Sequence, residues 1–165
     1  MRVQLLAFTF LAAFVSSASA QQLTTQYMSE KDIAGLIEKA KADRKGDAPI
    51  VPEPILQLAP YKAQLEYRPG TAPAALHEKD AELFVVLQGT GNILTGGKLI
   101  DEKRVNAANL SGSGIADGET HNVVKGDMLI VPANTPHQVI PTGGAPIVLM
   151  TLHVPHPPTA WPPTN

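Results

Sequence analysis

The sequence contains no cysteine. That excludes disulfides, thiolate metal sites and a cysteine nucleophile. A basic excess is missing too: 13 Lys and Arg stand against 15 Asp and Glu, for a formal net charge of −2. With no cationic patch, nucleic acid is not an expected partner. Several catalytic signatures are also absent. There is no Gly-x-Ser-x-Gly elbow, no phosphate-binding glycine loop, and no Gly-x-Gly-x-x-Gly opening a helix after a strand. Gly89-Thr90-Gly91 reads as a hairpin turn between strands, and Ser111-Gly112-Ser113-Gly114 as a flexible loop rather than a nucleophile. The one long apolar run, Val3–Val15, is short for a membrane span.

That run has the form of a secretory signal. Arg2 gives a positive start, Val3–Val15 the apolar core, and Ala18-Ser19-Ala20 a small-residue cleavage site, so residues 1–20 read as a signal peptide. Cleavage near Ala20 predicts an exported chain, periplasmic or secreted, with no stable membrane anchor. Loss of Arg2 with the leader takes the mature net charge to about −3. The remaining chain is one domain's worth and long enough to bury a core without disulfide or metal staples.

Residues 21–48 form an N-terminal segment with one amphipathic helix, Ser29–Asp43. Ser29 suits the N-cap and Asp32 completes a capping-box-like pair. Ile33, Leu36, Ile37 and Ala40 repeat at i, i+3, i+4 and i+7, and Gly46 offers a stop. After Pro49 the pattern changes. Pro52, Pro54 and Pro60 confine Ile50–Leu58 to an extended or edge strand. Tyr61–Tyr67 alternates, with Tyr61, Ala63, Leu65 and Tyr67 on one face. Short strand-like runs follow at Leu83–Leu87, Asn92–Thr95, Lys98–Ile100, His121–Val124, Met128–Val131, Gln138–Ile140 and Ile147–His153. Between them, Asp101–Asn109 and Ser111–Gly118 read as loops. Many short strands with almost no helix predict an all-β sandwich or barrel over residues 49–154. A proline-rich tail covers residues 155–165.

Two stretches carry the chemistry. GTAPAALHEKDAELFVVLQG, Gly70–Gly89, places His77 five positions before Glu82. GDMLIVPANTPHQVIP, Gly126–Pro141, carries His137 after a Pro-Ala-Asn-Thr-Pro turn. Two imidazoles and one carboxylate, each beside a strand, are the raw material of a 2-His-1-carboxylate metal site. His77 and Glu82 would approach from one hairpin region and His137 from the strand after the turn.

These stretches resemble the two motifs of the cupin superfamily. His77 stands where the second histidine of the first motif belongs, followed by Glu82 and Gly89 at the family spacing. Gly126, Pro132 and His137 match the second motif. Four positions depart. Ala75 replaces the usual first histidine, Gly70 is one residue too close to His77, Asn134 replaces a glycine, and Pro141 replaces the final asparagine. The Asn134 change is mild, because asparagine tolerates a left-handed backbone.

The resemblance implies a jelly-roll β-barrel and one divalent transition metal (Fe, Mn, Ni or Zn), with His77, Glu82 and His137 as ligands. It also implies a small organic molecule as substrate, handled by dioxygenase, decarboxylase, lyase or isomerase chemistry, and homodimers through edge strands. Two alternatives stand beside a metal-dependent enzyme. One is a barrel that binds a sugar or small acid without turnover; the other is a degenerate, structural barrel, for which Ala75 argues. His121, His153, Tyr67 and Gln64 are further candidate site residues. Gln138 is a candidate hydrogen-bond partner, and Glu78 or Asp80 could stand in for the missing histidine. No catalytic residue is assigned.

Overall fold

The computed structural model describes residues 25–155. The expected signal peptide and most of the proline-rich tail lie outside them. Among the described residues, no helix is long and apolar enough to cross a membrane.

A single helix, α1 (Glu30–Asp43), opens the described chain. Ser29 caps it through the expected capping box: its hydroxyl accepts from Asp32 N, and the Asp32 carboxylate accepts from Ser29 N at 2.9 Å. The helix ends before Gly46, because Arg44 already turns to extended backbone.

Thirteen strands follow. They are β1 (Val51–Leu58), β2 (Tyr61–Arg68), β3 (Ala74–His77), β4 (Asp80–Gln88), β5 (Thr90–Thr95), β6 (Lys98–Ile100) and β7 (Lys103–Asn106). The rest are β8 (Asn109–Gly112), β9 (Gly114–Ala116), β10 (Glu119–Val124), β11 (Met128–Val131), β12 (His137–Pro141) and β13 (Ile147–Pro155). A five-stranded sheet runs β1-β2-β13-β4-β11. A six-stranded sheet runs β10-β5-β12-β3-β8-β7, and β6 pairs with β9 in a small flap. All pairings are antiparallel, and the two large sheets face each other as the walls of a jelly-roll barrel.

Three local expectations are corrected. The stretches 101–109 and 111–118 hold β7, β8 and β9 rather than loops, because Ala74–His77 pairs with Asn109–Gly112. Their glycines and serines hide a strand signal that long-range pairing supplies. Gly89 is a corner, not a hairpin turn, since β4 and β5 belong to different sheets. The backbone turns there with φ of 81°, and a Cβ would collide with the Pro146 carbonyl. For the same reason His77 and Glu82 do not share a hairpin: β3 and β4 lie in opposite sheets. β1 is an outer strand, as its prolines require.

Strand alternation sorts the side chains into two cores. Phe84, Val86, Ile93, Val123, Val131, Val139, Ile147 and Leu149 fill one end of the barrel. On the outer face of the five-stranded sheet, Leu65 and Val148 pack under Ile37 and Ala40 of α1, with Tyr67 and Leu87 beside them. Glu53 is buried at this seam and takes an ion pair from Lys39 at 2.6 Å. The helix thus covers part of the outer wall and leaves the barrel's interior to the two sheets.

Candidate metal centre

The apolar filling stops at Glu82. Along β4 the inward positions are Glu82, Phe84 and Val86, so the carboxylate continues the row that forms the core. Only 4 % of Glu82 is exposed. A carboxylate so buried needs partners, since an isolated buried charge costs several kcal/mol. Three imidazoles supply them. His77 Nε2 lies 3.2 Å and His137 Nε2 3.0 Å from Oε2, and His153 Nε2 lies 3.6 Å from Oε1.

Each imidazole arrives on a different strand. His153 stands directly opposite Glu82 across β13 and β4. His77 closes β3 in the facing sheet, and His137 opens β12 beside it. The loop before β12 is tied to β3, because Asn134 N donates to His77 O at 2.8 Å. Asn134 adopts a φ of 61°, a left-handed conformation that asparagine tolerates. Ala75 faces His137 across β3 and β12 and brings no ligand atom.

Two of the rings are oriented from behind. His77 Nδ1 lies 2.8 Å from Asn109 Oδ1, and His137 Nδ1 lies 3.2 Å from Thr135 O. A carbonyl oxygen can only accept, so Nδ1 carries the proton in both rings and Nε2 is turned toward Glu82. Such outer hydrogen bonds fix the tautomer that a metal-ligating histidine needs. His153 Nδ1 faces Asp80 Oδ2 at 3.9 Å, too far for a hydrogen bond.

The electrostatics follow from this packing. Burial pushes the Glu82 carboxyl up, but hydrogen bonds from His137 and His77 and the charges of His137 and His153 outweigh it. The group is held well below the usual carboxylate range. Burial disfavours the charged form of His77, but bonds to Glu82 and Asn109 and the fields of Glu82 and Asp80 raise it above the ordinary imidazole value. A divalent cation would compete with protons for these nitrogens and the carboxylate.

Ligand atoms of His77, Glu82 and His153 lie within 4.8 Å of one another, so this cluster could hold a metal ion. His137 adjoins it through Glu82 rather than completing that tight group. A donor set of imidazole nitrogens and one carboxylate, with no sulfur, fits iron, manganese, nickel or zinc. The cluster opens into a cavity of about 320 Å³ lined by Lys62, Gln64, His77, Asp80, Asn109 and His153, with Pro60 and Pro155 at its edge. A larger hollow of about 460 Å³ beside Pro73, Lys103 and Ser113 shares no residue with the cluster.

Of the other candidates, His153 joins the cluster and Gln64 lines the cavity. Tyr67 does not reach it: alternation along β2 turns its ring to the outer face, against α1. His121 is held by Thr95, with Nε2 and Oγ1 3.0 Å apart, on the edge strand β10. Gln138 donates to Ala72 O rather than to a cluster residue. Asp80 lines the cavity, whereas Glu78 is engaged by Arg104 in a two-pronged ion pair. Asn109 and Lys62 were not anticipated. Asn109 fell in an expected loop, and Lys62, which strand alternation puts on the same face as Gln64, carried no further signal of a site residue.

Comparison of the fold with solved structures places it among double-stranded β-helix proteins. An uncharacterised conserved protein with a double-stranded β-helix domain from Klebsiella pneumoniae superposes with a TM-score of 0.54 at 13 % identity, covering 80 % of this chain and 91 % of that one. TT1209 from Thermus thermophilus gives a TM-score of 0.51 at 18 % identity, over 71 % and 93 % of the two chains. HppE with Fe(II) gives 0.51 at 12 % identity, over 67 % and 54 %. No protein-family model matches the chain, and no curated protein matches it in sequence. The fold is a double-stranded β-helix barrel.

Proposed function

We propose that this chain is an exported cupin-type protein that holds one divalent transition metal and acts on a small organic molecule in the cavity above it. The observation that carries this reading is a buried carboxylate ringed by three imidazoles at the mouth of a cavity of about 320 Å³. His77, Glu82 and His153 would be the ligands of the tight group, with His137 beside Glu82 available as a fourth. In this account His153 offsets the loss of the histidine at Ala75, supplied from β13 rather than β3. A bound metal would polarise a substrate oxygen or bind oxygen. The chain's own residues orient the ligands through Asn109 and Thr135, and Phe84 forms an apolar floor against His137, with ring centroids 5.6 Å apart.

The test is elemental analysis of the chain expressed from Gln21 and purified without chelator, beside the triple variant His77→Ala, Glu82→Ala, His153→Ala. Near-stoichiometric Fe, Mn, Ni or Zn in the parent and none in the variant is the expected result. No metal in the parent, even after incubation with each ion, would favour a metal-free binding or structural barrel. Export is tested separately, by N-terminal sequencing of the protein recovered outside the cytoplasm. A start at Gln21 is expected, and an intact Met1 start in the cell pellet would overturn it.

A further inference from the structure

We infer that the cavity selects small organic acids, and that Lys62 is the residue that recognises their anionic group. The inference rests on the reading that substrate sits in the cavity above the His77–Glu82–His153 cluster. Lys62 is the one Lys or Arg side chain on that cavity's wall, and it stands directly opposite His153 across β2 and β13. Among the described residues it has no ion-pair partner, unlike Lys39, Lys41, Arg68 and Arg104. Lys62 is exposed at this end of β2, so its ammonium is accessible to a ligand entering the cavity.

The charge balance points the same way. Two carboxylates, Glu82 and Asp80, belong to the cluster and the cavity wall. Together they offset a divalent ion and leave the Lys62 charge to be met by the ligand. The wall beside Lys62 is polar as well. Gln64, two residues on along the same face of β2, lines the cavity with it. A ligand with one oxygen group toward the cluster and a second, negatively charged one toward Lys62 uses all of these features.

Three probes of matched shape test the assignment: succinate, its half-amide succinamate, and 3-phosphonopropionate. Binding is measured by calorimetry on zinc-loaded and on chelator-treated protein, with zinc content and melting temperature recorded for every variant. The parent should bind succinate or 3-phosphonopropionate about five- to tenfold more tightly than succinamate, as expected for one charged contact at a partly open site. The stronger of the two anions identifies the group as carboxylate or phosphoryl. Lys62→Met should abolish that preference, Lys62→Arg should retain most of it, and Lys98→Met, on β6, should leave it intact. A parent that binds all three probes equally, or a preference that survives Lys62→Met, overturns the inference. Failure to take up zinc overturns the metal reading instead, and the preference measured in chelator-treated protein still decides the role of Lys62.

Discussion

Glutamine in place of Glu82 keeps the shape of the site and removes its charge. In chelator-treated protein the carboxylate is 96 % buried and faced by three imidazoles, so Glu82→Gln breaks a buried ion cluster rather than a surface pair. Breaking such a pair costs about 3–5 kcal/mol, and a retained amide hydrogen bond returns about 1 kcal/mol. The net loss is about 2–4 kcal/mol, a large share of the roughly 5–15 kcal/mol that holds a domain together. At about 3–5 °C per kcal/mol for a domain of this size, the melting temperature should fall by about 10 °C.

The loss should depend on pH in a defined way. The folded Glu82 titrates below its ordinary value of 4.5, so its contribution is present above that pH and disappears as the pH falls. His77 titrates above its ordinary 6.5, so its contribution is complete below that pH and disappears as the pH rises through the raised value. Both are present together between pH 4.5 and 6.5, where the difference between parent and variant should peak. Thermal melts from pH 4 to 8 in the presence of a chelator measure it. Superimposed profiles, or a variant more stable than the parent at pH 5.5, would refute the electrostatic account of the site.

Further outcomes follow from the same structure. His153→Ala should lower zinc affinity by at least the roughly 10–100-fold lost when only a hydrogen-bond partner of a ligand is removed, and the double change Ala75→His, His153→Ala should recover part of it. Competition against a zinc indicator reads both, and full affinity in His153→Ala would remove that residue from the ligand set. His121→Ala should leave zinc binding unchanged in the same assay, because its partner is Thr95 rather than Glu82. Ile37→Ala, beneath α1, should cost about 2–4 kcal/mol in urea denaturation without touching zinc affinity. A loss below about 0.5 kcal/mol would mean that the helix is not docked as described.

Much of this architecture was legible in the sequence where the signal is local. The helix declared itself through Ser29, Asp32 and an apolar 3.6-residue period, and its cap forms as expected. Strands with clear alternation or unbroken apolar runs, such as Tyr61–Arg68 and Met128–Val131, were equally plain. What was hidden depends on pairing between distant segments. Asn109–Gly112 has little strand propensity of its own and becomes β8 because β3 lies alongside it. With that strand came Asn109, the residue that orients His77. The site shows the same division. His77, Glu82 and His137 sit in recognisable spacings, but the inward turn of His153 follows from the register of β13 against β4, which period-two alternation alone leaves undecided.

The most direct test of the metal centre is a crystal of the zinc-loaded protein measured on both sides of the zinc absorption edge. The account predicts one strong anomalous peak bounded by His77 Nε2, a Glu82 oxygen and His153 Nε2, at the roughly 2.0–2.2 Å that zinc takes to such ligands. An anomalous map with no peak there, and with His77 and His137 still in hydrogen-bond contact with Glu82, would contradict it.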